Sequence, residues 1–332
     1  MSAKVTPAGV RAAAKRLQGV IVRTPLIESP VLSEHVGARI FLKAEVLQHY
    51  GSFKLRGAYN LMSQLTDHER AKGVVAWSSG NHAQGVAYAS KLLGCEATIV
   101  MPSDAPSVKI DNVKALGGQI VFFDRYKENR EDIGKEIAAR TGAVIAPSYD
   151  HPHIIEGQGT LALETIEDMR RQDLAPDAFV FCCGGGGLAA GGATILQDVS
   201  PQTALFIAEP EGYDETWASI RDRERRFADV SRPTICDAIA TPTPGALTLP
   251  ILEKTVVGGA AVTEPEVIDA MIYAYRVLKL VIEPGGAVAL ASILSGKIDM
   301  RGKTAAVTLS GGNIDIQTFI SLAKQGLSHK GS

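Results

Sequence analysis

The sequence lacks any long run of uncharged apolar residues, and this argues against a membrane-spanning helix. Such a helix needs about 18 or more apolar residues in succession, and the 332-residue chain contains no such segment. The first twenty residues also lack the apolar core of a secretory signal, and Thr6 and Pro7 are typical of a helix cap followed by the first helical residue. We therefore expect a cytoplasmic protein with no membrane partner.

Cysteine and net charge are both low. The four cysteines form no CxxC pair and have no histidine cluster nearby, which argues against a zinc site and a disulfide framework. The formal net charge of −2 gives no electrostatic reason to expect nucleic acid as a partner. Glycine, by contrast, is frequent at 33 residues, and many of them stand in short clusters. These clusters direct attention to ligand-binding loops.

Short β-rich runs alternate with helical patterns, which predicts βαβ units and parallel sheets. So many strands would overextend one twisted sheet. We therefore predict an α/β fold with two lobes, each an open, mostly parallel twisted sheet flanked by helices. Residues 211–250 have the least regular pattern and predict a surface loop. The predicted strands are 38–46, 73–78, 96–101, 119–123, 143–146, 177–183, 204–210 and 304–309, and the main predicted helices begin at Lys54 or span 81–94, 105–118, 127–140, 157–171, 264–281 and 314–325.

The strongest local signal is the segment GGGGLAAGG at residues 184–192, directly after a predicted strand. Backbone without side chains can approach an anion closely, and the following helix adds its positive N-terminal dipole, so the segment predicts a phosphate site. A flexible turn is the structural alternative. A dinucleotide phosphate is a chemical alternative, because Gly185, Gly187 and Ala190 fit a loose G-x-G-x-x-A pattern and Glu209 follows the next strand.

Two further segments place polar groups where predicted strands end. Residues 78–82 read SSGNH and open a helix, which suits a carboxylate site, although a plain helix cap has the same pattern. Ser310 follows the strand at 304–309 and precedes two glycines, as a simple turn also would. Lys54, in GSFKLRGA, is either an ordinary helix residue or a reactive amine, and this stretch alone does not decide between them.

Together, the segments resemble the serine/threonine dehydratase and serine racemase group of pyridoxal-phosphate enzymes, which have the tryptophan-synthase-β-like fold (fold type II). The resemblance implies that the cofactor lies in the cleft between a large domain, residues 1–48 and 150–332, and a small mobile domain, residues 49–149. It also implies a homo-oligomer. It rests on segments that follow in order through nearly the whole chain: RTPL, GSFKLRGA, SSGNHAQG, PSDAPSVK, EGQGT, GGGGL, AEPEG, EPGGA and SGGNID.

The resemblance implies a role for individual residues. Lys54 would bond covalently to the cofactor aldehyde and act as the catalytic base. Phe53 would pack beside the cofactor ring, Asn81 would bond to its phenolic oxygen, and Ser310 would face its pyridine nitrogen. The cofactor phosphate would be held by the main-chain N–H groups of Gly184, Gly185, Gly186, Gly187 and Leu188. The substrate carboxylate would be held by Ser78, Ser79, Gly80, Asn81 and His82.

The implied reaction is conversion of L-threonine or L-serine to a 2-oxo acid and ammonia. The alternatives are a serine racemase, with Ser79 as the second catalytic residue, a dehydratase of another 3-hydroxy amino acid such as 3-hydroxyaspartate, and, more distantly, an NAD-binding oxidoreductase. The segment AEPEGYDE resembles a divalent-cation site, in which Glu209, the Tyr213 carbonyl and Glu215 would bind Mg²⁺ or Ca²⁺. A solvated acidic turn is the alternative.

Overall fold

The computed structural model describes residues 4–105 and 107–329, so Pro106 in the predicted helix 105–118, and residues 1–3 and 330–332 of the predicted large domain, lie outside the described residues. The helices are α1 Pro7–Leu17, α2 Pro30–Val36, α3 Lys54–Met62, α4 Asp67–Lys72, α5 Asn81–Leu93, α6 Ser107–Ala115, α7 Arg130–Thr141, α8 Pro152–Arg170, α9 Gly187–Val199, α10 Glu215–Asp222, α11 Leu249–Thr255, α12 Glu264–Tyr273, α13 Pro284–Leu294 and α14 Ile316–His329. The strands are β1 Leu26–Glu28, β2 Arg39–Ala44, β3 Val74–Trp77, β4 Ala97–Pro102, β5 Gln119–Phe123, β6 Val144–Ile145, β7 Ala178–Cys182, β8 Ala204–Pro210, β9 Val256–Val262 and β10 Thr304–Leu309. Within the described ranges, no helix is both long enough and apolar enough to cross a membrane.

The strands form a larger and a smaller sheet. The larger sheet has the order β1-β2-β10-β7-β8-β9, and its neighbours are parallel except for the antiparallel pair β1 and β2. The smaller sheet has the order β5-β4-β3-β6 and is parallel throughout. The predicted α/β fold with mostly parallel sheets is therefore confirmed. The strands of the smaller sheet fall within residues 49–149, but the exact domain boundaries and the mobility of the small domain stay predictions.

Both faces of the central strands are covered by helices. Successive side chains of a strand point to opposite faces, so a strand covered on both sides is apolar at every position. In β7, Phe179 and Phe181 join a core with α8 and α9, whereas Val180 and Cys182 join a second core with α12 and α13. This packing holds the carboxyl end of β7, and with it the glycine segment, at one edge of the sheet.

Some elements differ from the sequence predictions. The predicted helix 264–281 stops at Tyr273, because the chain continues as a π-helical turn and Lys279 adopts a left-handed conformation with φ of 60°. The predicted loop 211–250 contains α10, and strand β9 and helix α13 were not predicted at all. Glycines inside β9 and the Pro-Gly-Gly start of α13 read as loop signals, and burial of these segments overrides them.

Candidate active site

A cleft opens at the carboxyl ends of strands from both sheets. The segments that follow β3, β7 and β10 all reach it, as does the start of α3. Carboxyl edges of parallel strands are where open α/β folds place ligands. The cleft brings together all the residues predicted for catalysis, cofactor binding and substrate binding: Phe53, Lys54, Ser78, Ser79, Gly80, Asn81, His82, Gly184, Gly185, Gly186, Gly187, Leu188 and Ser310.

Lys54 is the first residue of α3, and its amine lies in the cleft. The amine donates a hydrogen bond to the carbonyl of Ser148 at 3.1 Å and lies 5.1 Å from the centre of the Phe53 ring. The backbone before it is fixed, because the Phe53 N–H donates to the Ser310 carbonyl at 3.2 Å. Burial lowers the pKa of Lys54 from 10.5 to about 8, although the nearby Glu283 carboxylate opposes this shift. Near neutral pH, the amine therefore loses its proton far more readily than an exposed lysine does.

The glycine segment forms a shaped loop between β7 and α9. Gly186 has a φ of 89°, a left-handed conformation that favours glycine. A Cβ on Gly185 would lie 2.4 Å from the Tyr149 ring, so a side chain here would displace that ring. Gly187 begins α9, where the first backbone N–H groups have no partner within the helix. The loop thus presents N–H donors and a positive helix end to the cleft, which suits a phosphate.

The segment at 78–82 presents hydroxyl and N–H groups at the start of α5. The Ser78 hydroxyl accepts a hydrogen bond from the Gly80 N–H at 3.2 Å and so caps the turn. Gly80 precedes the helix and provides no side-chain cap. The Ser79 hydroxyl forms no hydrogen bond with any residue in the described part of the chain. Ser79 is therefore free to contact a bound molecule.

The His82 side chain cannot act as a carboxylate donor, although the sequence placed His82 at the substrate site. Its ring is buried, and Nε2 lies 2.7 Å from the Ala146 carbonyl, which can only accept a hydrogen bond. Burial, followed by the nearby Lys54 amine, lowers the pKa of His82 to about 3, so the ring is neutral and Nδ1 is an acceptor. Nδ1 is buried and has no hydrogen-bond partner among the residues that the structure describes. Only the backbone N–H of His82 suits a carboxylate.

The predicted cation residues lie outside the cleft, at the turn from β8 to α10. Glu209 accepts from the Trp217 N–H at 2.7 Å, and Glu215 accepts from the Thr241 hydroxyl at 2.7 Å. The second carboxylate oxygen of Glu215, Oε2, is buried and has no hydrogen-bond partner in the described part of the chain. Burial raises the pKa of Glu215 to about 7 and that of Glu209 well above its usual range, and the nearby Glu215 charge raises the Glu209 value further.

This carboxylate pair has the chemistry of a cation site but is incomplete. Among the described residues, no group of three or more His, Cys, Asp or Glu side chains could hold a metal ion. The Tyr213 hydroxyl donates to the Arg232 carbonyl at 2.7 Å, so only the backbone of Tyr213 remains as a ligand. Cation binding at Glu209, Tyr213 and Glu215 stays a prediction.

Comparison with known proteins identifies the family. Residues 17–311 match the family described as pyridoxal-phosphate dependent enzyme. The chain belongs to this family. Its cofactor is therefore pyridoxal phosphate rather than the dinucleotide that the glycine pattern also allowed.

Three related pyridoxal-phosphate enzymes illustrate the similarity. The L-threo-3-hydroxyaspartate ammonia-lyase of a Pseudomonas species is 40% identical, with 94% of this chain and 96% of the relative covered. The L-threonine ammonia-lyase of Thermotoga maritima is 40% identical, with 98% of this chain and 80% of the relative covered. The crystal structure of serine racemase from Dictyostelium discoideum has a TM-score of 0.88 and 35% identity, covering 95% of this chain and 100% of that one.

The cleft of this pyridoxal-phosphate enzyme fits its cofactor. The glycine loop is closely packed and leaves no room for a side chain at Gly184, since a Cβ there would lie 2.6 Å from the Ile239 carbonyl. The Lys54 amine has a lowered pKa, as bonding to an aldehyde requires. Ser310, buried at the end of β10, also lines the cleft. The loop, amine and hydroxyl match the phosphate, aldehyde and ring nitrogen of pyridoxal phosphate.

Sequence reasoning missed several residues that line the cleft. Glu283 is buried there, and burial raises its pKa to about 7. Its Oε1 accepts from the Asn81 side-chain N–H at 2.5 Å. Tyr149 packs against the glycine loop, and Arg130 lies at the start of α7. Glu283 is the first residue of the segment EPGGA, but nothing in that pattern indicates that its side chain is buried.

Proposed function

We propose that this pyridoxal-phosphate enzyme is an ammonia-lyase that converts L-threonine and L-serine to a 2-oxo acid and ammonia. The observation that carries the proposal is the buried Lys54 amine, with its pKa near 8, in one cleft with the glycine loop and the 78–82 segment. The relative from Thermotoga maritima, named an L-threonine ammonia-lyase and 40% identical over 98% of this chain, supports the same choice. The substrate would be a small amino acid with a hydroxyl on Cβ.

Each part of the cleft has a task in this reaction. The N–H groups of residues 184–188 would hold the cofactor phosphate, and Asn81 would donate to the ring hydroxyl oxygen. Pyridoxal phosphate, when bound, supplies an electron sink for the electron pair left on Cα. Lys54 would accept the Cα proton at Nζ, which its lowered pKa permits near neutral pH. Ser310 would contact the ring nitrogen with a hydroxyl, which, unlike a carboxylate, does not stabilise a proton on that nitrogen.

The substrate carboxylate would bind at the start of α5. Within the described residues, the backbone N–H groups of Asn81 and His82 and the Ser79 hydroxyl have no acceptor, and the helix N-terminus favours negative charge. This binding would leave the Cα proton within reach of Lys54. The His82 ring would not contact the carboxylate, because its Nδ1 accepts rather than donates.

A dehydratase of 3-hydroxyaspartate is the second candidate, and Arg130 is the observation that favours it. Arg130 lines the cleft and is exposed, and it forms no ion pair within residues 4–105 and 107–329. A free guanidinium at this position suits a second substrate carboxylate. The Pseudomonas relative, named an L-threo-3-hydroxyaspartate ammonia-lyase, agrees with this candidate. Serine racemisation, which would depend on Ser79, is a third candidate activity.

A substrate panel tests these candidates. Ammonia release from L-threonine, L-serine and L-threo-3-hydroxyaspartate is measured for the parent enzyme, for Lys54→Ala and for Arg130→Ala. We expect Lys54→Ala to abolish release from every substrate, whereas Lys91→Ala, which removes an exposed lysine outside the cleft, should not change it. If 3-hydroxyaspartate is the true substrate, Arg130→Ala should raise KM for that substrate alone. Near-normal turnover by Lys54→Ala would rule out the proposed chemistry.

A further inference from the structure

A chain of side-chain hydrogen bonds connects four separate segments across the cleft. Asn313 donates from Nδ2 to the Tyr50 carbonyl at 2.7 Å and to Oδ1 of Asn81 at 2.6 Å. Asn81 in turn donates from Nδ2 to Oε1 of Glu283 at 2.5 Å. Asn81 and Glu283 are buried, and Asn81, Glu283 and Asn313 line the cleft. The Asn81 amide is thus held on both of its polar atoms.

The chemistry at the two ends fixes which way the amides point. The Tyr50 carbonyl can only accept, so the nitrogen of Asn313 must face it, and the same nitrogen faces Oδ1 of Asn81. At the other end, an ionised Glu283 carboxylate only accepts, and a Glu283 protonated on Oε2 still accepts at Oε1, so the nitrogen of Asn81 faces Glu283 in both states. The two ends require the same orientation of Asn81. A reversed Asn81 amide would lose both hydrogen bonds, because Oδ1 would face Oε1 of Glu283 and Nδ2 would face Nδ2 of Asn313.

Gly311 makes the contact between Asn81 and Glu283 possible. A Cβ on Gly311 would lie 2.1 Å from Oε1 of Glu283 and 3.1 Å from Nδ2 of Asn81. Any side chain at this position would therefore push the two groups apart. The φ of Gly311 is not in the left-handed region, so close approach, and not backbone conformation, is what requires glycine here.

We propose that Glu283 and Asn313 are positioning residues that hold the Asn81 amide with its second Nδ2 hydrogen toward the cleft, where it donates to the ring hydroxyl oxygen of pyridoxal phosphate. This inference rests on the cofactor role of Asn81 in the proposed function. One Nδ2 hydrogen is used by Glu283, and the other has no acceptor in the described residues. The ring oxygen beside the cofactor aldehyde carries negative charge, so it needs a donor and would be repelled by Oδ1.

The experiment measures cofactor binding rather than turnover. The dissociation constant for pyridoxal phosphate and the absorption spectrum of the bound cofactor are determined for Asn81→Ala, Glu283→Ala, Asn313→Ala, Gly311→Ala and the double variant Asn81→Ala/Glu283→Ala. Glu283→Gln is the conservative variant, because its Oε1 can still accept from Asn81. Glu156→Ala is the matched control, since Glu156 is 6% exposed against 5% for Glu283 but does not line the cleft.

The expected pattern is that of residues acting through Asn81. Asn81→Ala should weaken cofactor binding about tenfold and shift the absorption maximum. Glu283→Ala and Gly311→Ala should produce the same shift, Asn313→Ala should do so to a similar degree, and Glu283→Gln should remain close to the parent. The double variant should be no weaker than Asn81→Ala alone, because a residue that acts through a second one adds nothing once the second is gone. Glu156→Ala should leave the spectrum unchanged.

Three results would overturn the inference. Additive losses of cofactor affinity in the double variant would show that Glu283 does not act through Asn81. An unchanged spectrum in Glu283→Ala and Asn313→Ala would show that neither residue positions Asn81. An unchanged spectrum in Asn81→Ala would remove the cofactor role of Asn81 and the inference together. Ammonia release by the parent enzyme is measured separately, so failure of the proposed lyase activity is distinguishable from each of these results. If Glu283→Ala does not fold, Asn313→Ala and Gly311→Ala still provide the comparison.

Discussion

At the scale of single residues, the Lys54 amine gives the clearest pH prediction. Its pKa is lowered from 10.5 to about 8 because burial disfavours the charged form. Only the neutral amine attacks an aldehyde. The rate at which the cofactor-free chain takes up pyridoxal phosphate should therefore rise about tenfold for each pH unit below 8 and level off above it. The rate is followed by absorbance after mixing.

Nα-acetyl-lysine in solution, mixed with pyridoxal phosphate, is the control for this measurement. Its side-chain amine reacts with the same cofactor aldehyde as Lys54 does, but this amine is fully solvated. Its rate should continue to rise up to about pH 10.4. An enzyme profile that follows this control past pH 9 would show that burial does not lower the pKa of Lys54.

Ser79 carries the prediction about stereochemistry. Racemisation needs a proton donor or acceptor on each face of the substrate Cα, and Lys54 can serve only one face. The Ser79 hydroxyl lines the same cleft. We expect the parent enzyme to form some D-serine from L-serine. Ser79→Ala should suppress this and slow elimination from D-serine, whereas elimination from L-serine and L-threonine should continue. Chiral chromatography with an ammonia assay measures both.

Two outcomes would contradict a catalytic role of Ser79 and would indicate that its hydroxyl only stabilises the start of the helix. One is an equal loss of elimination with both enantiomers of serine in Ser79→Ala. The other is the absence of D-serine from the parent reaction. Ser78→Ala is a useful comparison, because the Ser78 hydroxyl already accepts a hydrogen bond from the Gly80 N–H. This variant should therefore change elimination from L-serine and D-serine to the same degree.

The residues of the cleft were more predictable than their contacts. Lys54, Asn81 and Ser310 stand in short segments whose composition points to chemistry, and the structure places them together. Nothing local marks Glu283 as the partner of Asn81, because the two are 202 positions apart and the contact depends on packing between the sheets. The tautomer of His82 could not be predicted from the sequence either, because its contact with the distant Ala146 carbonyl determines it.

At the scale of secondary-structure elements, Arg56 is the group that joins α3 to its neighbours. It is fully buried and bonds to Glu45 at 2.8 Å and to Glu164 on α8 at 2.7 Å. Lys43 on β2 also bonds to Glu164 at 2.7 Å. Arg56→Leu would leave buried carboxylates without their main partner, and we expect a loss of about 3–5 kcal/mol in the free energy of unfolding. Urea denaturation measures it.

Arg39→Leu is the matched control for this prediction. Arg39 pairs with Glu28 at 2.6 Å, but both side chains are exposed. An exposed pair contributes only about 0–1 kcal/mol, since water solvates either partner alone. Equal losses in Arg56→Leu and Arg39→Leu would mean that the buried cluster contributes no more than a surface pair.

The turn from β8 to α10 carries the prediction about metal removal. Two buried carboxylates with an unpartnered oxygen are unfavourable unless a cation or protons neutralise them. If Glu209 and Glu215 bind a divalent cation, a chelator should lower the melting temperature by a few degrees, and Mg²⁺ or Ca²⁺ should restore it. Glu215→Gln should abolish this response. Asp222→Asn, on the same helix, should retain it, and a parent enzyme insensitive to chelation would favour an acidic turn without metal.

Elements with a clear period were predictable, and elements that depend on burial were not. The helix 81–94 was predicted to within a residue of α5 because it has an apolar face and a terminal glycine. Helix α13 is buried along almost its whole length, so it has no polar face to reveal a period. Strand β9 is held by its pairing with β8, which no local pattern encodes.

At the scale of the whole molecule, the cleft is assembled from segments that are distant in sequence. The backbone near Lys54 is joined to the segment after β10 by the bridge between Ser52 and Gly311. Lys109 on α6 and Asp237 form an ion pair at 2.8 Å that connects the side of the smaller sheet to the side of the larger one, and both line the cleft. Movement of the predicted small domain would have to break this exposed pair.

The central position of β10 in the larger sheet determines when the enzyme can be completed during synthesis. β10 lies between β2 and β7, so these two strands share no neighbour until residues 304–309 have left the ribosome. The strands of the smaller sheet, by contrast, are all present once residue 145 has emerged. The nascent chain therefore carries unpaired strand edges until β10 emerges, and such edges favour aggregation. Ser310, which lines the cleft, directly follows β10, so the cleft cannot be complete before this strand has emerged.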